Sequence, residues 1–129
     1  MTRRWLAGWI GLVLAATAMA DVVDSCASLL GSIGVELRYA RRLPRDGHTT
    51  FICPRDTRAL VGASRQRVLA ALGTPDETAP GGDGANPSWT YWFGPPPSSG
   101  AIRNPGQPGL RFDFDATFAV LSTRCQRHP

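Results

Sequence analysis

Glycine and proline dominate one long stretch of this sequence and limit what the chain can fold into. Of the 37 residues from Gly73 to Gly109, 16 are glycine or proline. Neither residue suits the interior of a helix or of a central strand. We therefore expect the helices to lie before Gly73, and regular structure beyond it to consist of short strands between loops.

The best-defined helix ends where that stretch begins. Ser64 is a candidate N-cap, Gly73 suits the C-terminal cap, and Pro75 lies where the helix cannot continue. Residues 54–60 predict a shorter helix with Asp56 as its cap. Residues 21–42 have apolar side chains at steps of three and four, which predicts a longer helix although Gly31 and Gly34 weaken the pattern.

Three strands are predicted after the helices. Residues 88–93 are rich in aromatic side chains, residues 110–115 alternate between apolar and charged side chains, and residues 118–125 follow a tight connection. Residues 74–87 and 94–109 are expected to be loops. This order predicts an α+β fold with helices packed on one face of a three-stranded antiparallel sheet, and a long Pro/Gly-rich loop between the first two strands.

Strand alternation divides the side chains between two faces of that sheet. We expect a core of Leu60, Val68, Leu69, Leu72, Trp89, Tyr91, Phe93, Phe112 and Phe114. Trp92 then lies on the opposite face, beside Arg111 and Asp113. Aromatic and arginine side chains on an open face are typical of interfaces, so these three are candidate partner-binding residues. The alternative is that loop 94–109 covers Trp92.

The first twenty residues have the features of a signal peptide. Arg3 and Arg4 precede an apolar run of twelve residues, and Ala18-Met19-Ala20 has the small residues that signal peptidase recognises. The run is too short for a spanning helix, and the residues before Cys26 are polar where a lipoprotein signal has small apolar ones. We predict cleavage after Ala20, a periplasmic or secreted location and no stable membrane anchor.

The charge and cysteine content of the remaining chain excludes several functions. Without the signal peptide there are 12 arginines against 10 acids, too small an excess to predict nucleic-acid binding. In an oxidising compartment a disulfide is expected: Cys53 with Cys125, leaving Cys26 free, or Cys26 with Cys53. No spacing of cysteines and histidines predicts a metal site, and no cofactor is expected.

Residues 60–76, LVGASRQRVLAALGTPD, carry a family resemblance together with the W-x-Y-x-F strand at 89–93 and the L-x-F-x-F strand at 110–114. This pattern resembles the SmpA/OmlA (BamE-like) domain, whose best-known member is a small outer-membrane lipoprotein of the barrel-assembly machinery. The resemblance covers roughly residues 54–125 and implies a helix-helix-strand-strand-strand module that binds other envelope proteins. The lipoprotein signal is missing, so membrane anchoring is not implied.

These features predict a protein without enzymatic activity. No nucleophile lies in a recognisable motif, and Asp113 and Asp115 are expected to be solvated carboxylates on a strand. We expect a cleaved signal peptide at 1–20, a helical extension at 21–53 and a BamE-like domain at 54–129, acting as an adaptor or scaffold for another envelope protein. The alternatives are a secreted inhibitor of a hydrolase, since a similar unit is repeated in a β-lactamase inhibitor protein, and a redox-active protein that uses the odd cysteine.

Overall fold

The computed structural model describes residues 11–44, 51–98 and 101–129, with side chains from Ser25 onward. Two α-helices and a short 3-10 helix precede a four-stranded antiparallel sheet with the strand order β1-β2-β3-β4. The elements are α1 (Gly11–Arg41), the 3-10 helix (Arg58–Leu60), α2 (Arg65–Leu72), β1 (Glu77–Ala79), β2 (Ser88–Trp92), β3 (Pro108–Phe114) and β4 (Val120–Arg127). Half of the predicted signal peptide, residues 1–10, lies outside this description, and only the helical backbone is described for residues 11–20.

Helix α1 contributes one side of the hydrophobic core. Its buried side chains recur every three or four residues, as an amphipathic helix requires, and are Cys26, Leu30, Ile33, Leu37 and Ala40. They form a single cluster with buried side chains of α2 and the sheet. The predicted extension at 21–53 therefore shares its core with the predicted domain at 54–129.

The segment after α1 is less helical than the sequence predicts. Only Arg58–Leu60 forms a helical turn within residues 54–60, and its N-cap is Thr57 rather than Asp56. Asp56 instead accepts the backbone N–H of Arg58 at 3.0 Å. The turn ends because the chain leaves it to pair with β4: Gly62 N–H donates to the carbonyl oxygen of Val120 at 2.8 Å.

Helix α2 agrees with its sequence signals. Ser64 Oγ accepts the backbone N–H of Arg67 at 3.2 Å, as an N-cap does. Gly73 follows the helix with a φ of +77°, a conformation that glycine adopts without strain. Leu69 is a correction to the predicted core, since it is 44% exposed whereas Val68 and Leu72 are buried. The two buried residues are four apart on one side of this short helix, and Leu69 is rotated away from that side.

The sheet has four strands, so the predicted count of three is wrong. The missed strand, β1, lies inside the predicted loop 74–87 and pairs with β2, with Glu77 opposite Thr90 and Ala79 opposite Ser88. All three residues of β1 are exposed, so no apolar alternation marks it in the sequence. The long Pro/Gly-rich loop consequently connects the second and third strands of the sheet rather than the first two.

Aromatic side chains on the helix side of the sheet complete the core. Tyr91, Phe93, Phe112 and Phe114 have no solvent exposure, and Trp89 is half-buried against them. The rings of Tyr91 and Phe112 meet edge to face with centroids 5.9 Å apart. Phe51 stacks on Phe93 from outside the sheet, with centroids 3.7 Å apart. The faces predicted by strand alternation therefore match these core positions.

One disulfide joins Cys53 to Cys125 across 72 residues of sequence. Of the two predicted pairings, this is the one that ties the segment before the 3-10 helix to the last strand. Cys26 carries a free thiol that is buried in the core. None of the helices in the described part of the chain has the length and apolar composition that crossing a membrane requires.

Candidate functional site

The sheet face opposite the helices, called the outer face below, brings two of the three predicted partner-binding residues together. None of its side chains belongs to the cluster that the helices form with the inner face. Strand register arranges its residues in three rows: Glu77-Thr90-Arg111-Arg124, Ala79-Ser88-Asp113-Ser122 and Trp92-Gly109-Gln126.

An ion-pair cluster centred on Asp113 lies in the middle of the outer face. Arg111 Nε donates to Asp113 Oδ1 at 3.1 Å. Ser122 Oγ lies 3.4 Å from Asp113 Oδ2 and donates to it, while Arg124 Nε is 3.9 Å from the same oxygen. Arg111 and Arg124 are directly opposite on β3 and β4, an arrangement that is destabilising for like charges. Asp113 offsets that repulsion by contacting both guanidinium groups.

Exposure distinguishes the members of the Asp113 cluster. The side chains of Asp113 and Arg111 are 13% and 32% exposed, whereas Arg124 is 62% exposed. Two cations share one carboxylate here, and the more exposed cation has the longer contact. Arg124 can therefore turn its guanidinium toward a carboxylate on another molecule at little cost, because an exposed ion pair of this kind contributes only about 0–1 kcal/mol.

Short polar side chains separate this cluster from β1. Ser88 and Thr90 are 4% and 6% exposed and lie in the same rows as Asp113 and Arg111. The middle of the outer face thus combines charged side chains with short hydroxyl side chains.

Trp92, the third predicted residue, is covered rather than exposed. It is 3% exposed, its Nε1 donates to Glu77 Oε1 at 3.1 Å, and its ring meets that of His128 with centroids 5.0 Å apart. The indole also lies against Gly109, where a side chain would collide with it. The structure therefore agrees with the interpretation in which Trp92 is buried. Loop 94–109 contributes only its last residue, Gly109, to these contacts, and the others come from Glu77 and His128.

Asp76 forms a hub that sequence reasoning missed. Its Oδ2 accepts the backbone N–H of Trp92 at 2.7 Å and the Arg41 guanidinium at 3.2 Å. Its Oδ1 is 3.6 Å from Arg103 Nη2 in the long loop. Asp76 thereby links α1, β2 and the loop. Its place directly after the Gly-Thr-Pro sequence is the only sequence signal, since both arginines are distant along the chain.

The buried hydroxyl of Tyr91 forms a hydrogen bond near Asp76. Tyr91 donates its phenolic O–H to the carbonyl oxygen of Gly73 at 2.8 Å. Burial raises the pKa of Tyr91 well above its ordinary value, because ionisation would place a charge in a region closed to water. The group is therefore a structural donor that fixes the end of α2 to β2.

The turn between β3 and β4 carries an exposed aromatic ring. Phe118 in this turn is 43% exposed, and the Arg65 guanidinium lies 4.4 Å from its ring centroid. Asp115 holds the turn by accepting the Thr117 hydroxyl at 2.7 Å and the backbone N–H groups of Thr117 and Ala119. The hydroxyl and then the backbone donors lower the pKa of Asp115. Asp115 thus has a turn-forming role that its predicted role as a solvated carboxylate does not include.

In the described ranges, no three His, Cys, Asp or Glu side chains are grouped so that they could hold a metal ion. The free thiol of Cys26 is buried, and the other two cysteines are bonded to each other.

No protein-family model matches the chain, and no curated protein matches it either.

Proposed function

We propose that this chain is a non-enzymatic cell-envelope protein that binds another protein through the outer face of its sheet. The observation that carries the proposal is the Asp113 cluster, where Arg111 and Arg124 share one carboxylate on the sheet face opposite the apolar core. Arginine is enriched at protein interfaces, and charged groups at a partner surface set its orientation and specificity. An adaptor or scaffold needs such a face and no catalytic group.

The architecture supports a role like that of the SmpA/OmlA (BamE-like) domain. Within residues 54–125, α2 followed by Gly73 and by the aromatic strand agrees with the pattern on which that resemblance rests, whereas the first helix of the pattern is reduced to the turn Arg58–Leu60. The additional edge strand β1 and the long loop between β2 and β3 depart from it. We therefore propose the envelope-adaptor role for this chain without assigning it the family's particular partners.

The Cys53–Cys125 disulfide supports a location outside the cytoplasm. Disulfides persist in oxidising compartments and are rare where thiols are kept reduced. Together with the N-terminal sequence features, it favours a periplasmic or secreted protein. A partner of such a protein is expected among the proteins of the same compartment.

Capture of the partner from an envelope fraction tests the proposal. We would crosslink the tagged chain in that fraction and compare Arg111→Ala with Arg42→Ala, which removes an exposed arginine at the end of α1. We expect Arg111→Ala to reduce capture at least tenfold and Arg42→Ala to leave it unchanged, with both variants folded by circular dichroism. Equal capture by both would contradict the use of the outer face. The identity of the captured protein separates an envelope component from a hydrolase, the target expected of an inhibitor.

A further inference from the structure

We propose that the open edge of β4 binds an extended, acidic segment of a partner protein, which joins the sheet as an additional strand. The inference rests on the proposed function, and deepens it by naming a second contact and the chemistry of the segment that makes it. Strand addition of this kind obtains its affinity from backbone hydrogen bonds and its specificity from side chains. The evidence lies in the pairing and the charge of β4.

Among the described residues, only the beginning of β4 is paired on both edges. Along one edge β4 pairs with β3, from Arg127 opposite Pro108 to Val120 opposite Phe114. On the other edge, Val120 exchanges two hydrogen bonds of 2.8 Å with Gly62 and Ala63. Beyond Val120, no backbone hydrogen bond between described residues reaches that second edge. The disulfide at Cys125 attaches Cys53 nearby through side chains alone.

The direction of the free backbone groups follows from the end of the strand. His128 N–H donates to the Gln107 carbonyl, and the His128 carbonyl accepts from Gly106 N–H, both at 2.8 Å. Backbone groups of successive strand residues point to opposite edges, so Gln126 and Arg124 also face β3. The groups of Arg127, Cys125 and Thr123 therefore face the open edge, which extends over about 17 Å from Ser122 to Arg127 at roughly 3.3 Å per residue.

The charge of β4 favours an acidic strand over a second copy of this chain. The strand Val-Leu-Ser-Thr-Arg-Cys-Gln-Arg contains two arginines and no acid. Arg124 is 62% exposed, and Arg127 is exposed with one contact to the Gly106 carbonyl. Charged side chains on an edge strand oppose pairing with an identical edge, since each copy brings the same cations. Arg124 lies on the outer face and Arg127, three residues further on, on the other face, so a strand with carboxylates on alternate residues meets Arg124 with opposite charge when those carboxylates lie on the outer face.

Hydrogen exchange with a defined peptide tests this inference. The probe is a capped peptide that alternates valine and glutamate over eight residues, and its control has lysine in place of glutamate. In the free protein we expect fast amide exchange at Thr123, Cys125 and Arg127 and slow exchange at Arg124 and Gln126. The acidic peptide should slow exchange of the three outward amides at least tenfold, and the lysine peptide should leave it unchanged.

Two variants of Thr123 separate the backbone donor from the side chain. Thr123 Oγ1 is buried without a hydrogen-bond partner, so Thr123→Val removes no bond and should bind the peptide like the unmodified chain. Thr123→Pro removes the outward N–H while leaving the ladder to β3 intact, as proline is tolerated on an edge strand. It should weaken peptide binding at least tenfold. If Thr123→Pro does not fold, Arg124→Glu should show the same loss, and Arg42→Glu should not.

Three results would overturn the inference. They are an acidic peptide that does not bind, a peptide that binds without protecting the outward amides, and amides already protected in a concentration-dependent dimer of the chain. Each of these leaves the outer-face proposal in place if envelope capture still depends on Arg111. Failure of the unmodified chain to capture any envelope protein would instead overturn the proposed function, whatever the peptide does.

Discussion

Gly34 of α1 lies directly against the carbonyl oxygen of Ala71 in α2. A Cβ at position 34 would come within 2.7 Å of that oxygen and 3.6 Å of Leu72 Cδ2, so the two helices approach as closely as they do because residue 34 has no side chain. Gly31, one turn earlier in the same helix, has no atom within 4 Å of the corresponding position. The two glycines weaken the helix pattern equally, but only Gly34 is required by packing.

Alanine at these two positions should therefore have opposite effects on the free energy of unfolding. Gly34→Ala forces the helices apart and should cost about 1–3 kcal/mol, the range for overpacking. Gly31→Ala should stabilise the chain by about 0.5–1 kcal/mol, because alanine is the better helix former. Urea unfolding of both variants measures the difference. Changes of the same sign would mean that α1 and α2 do not meet at Gly34.

Truncation of Trp92 should destabilise the protein strongly. The indole is 3% exposed and contacts Glu77, Gly109 and His128, so Trp92→Ala should cost about 3–5 kcal/mol. Tyr39→Ala removes an aromatic ring that is 63% exposed and should change the free energy of unfolding by less than about 0.5 kcal/mol. Thermal and urea unfolding report both values. An unchanged melting temperature for Trp92→Ala would contradict the buried position of Trp92.

Loss of the disulfide should be costly because it closes a long loop. Cys53 and Cys125 are 72 residues apart, and in the chain-entropy description such a bond contributes about 4 kcal/mol. The double variant Cys53→Ser/Cys125→Ser should lose approximately that stability. Thiol titration of the oxidised protein should find no reactive thiol in the native state and one, Cys26, after unfolding in urea. Three titratable thiols would contradict the pairing.

Tyr91 makes stability depend on pH in the alkaline range. Its folded-state pKa is raised by burial, so the folded protein holds the phenolic proton more tightly than the unfolded chain does. The contribution is fully present below about pH 10, where the unfolded phenol is protonated, and declines as the pH rises further. In Tyr39→Phe, which leaves Tyr91 as the sole tyrosine, phenolate absorbance should remain low above pH 10 while the protein stays folded. Ionisation near pH 10 with the fold intact would contradict the buried position.

Local signals account for the elements that the sequence predicts well. Helix α2 is specified by Ser64 directly before it and Gly73 directly after it. Strand β1 has no such signal: its three exposed residues become a strand only because β2 supplies the hydrogen-bonding partner. Trp92 is covered by His128 and Glu77, which no periodicity in β2 can reveal.

In the candidate site too, contacts within one strand follow from the sequence pattern, whereas contacts between distant segments do not. Alternation along β3 places Arg111 and Asp113 on one face, as predicted from the sequence. Arg124 joins them only through the register of β3 with β4, which shifts at a bulge between Asp113 and Phe114. The hub at Asp76 depends on Arg41 and Arg103, whose positions follow from the packing of α1 and the path of the long loop.

Site-specific photo-crosslinking in living cells tests the central claim most directly. A photoreactive residue would replace Ser122, which is exposed beside Asp113 on the outer face, or Ser28, which is exposed on α1. We predict a discrete adduct with one envelope protein from position 122, its loss when Arg111→Ala is added, and no adduct from position 28. Absence of an adduct from position 122, or the same adduct from both positions, would contradict binding through the outer face.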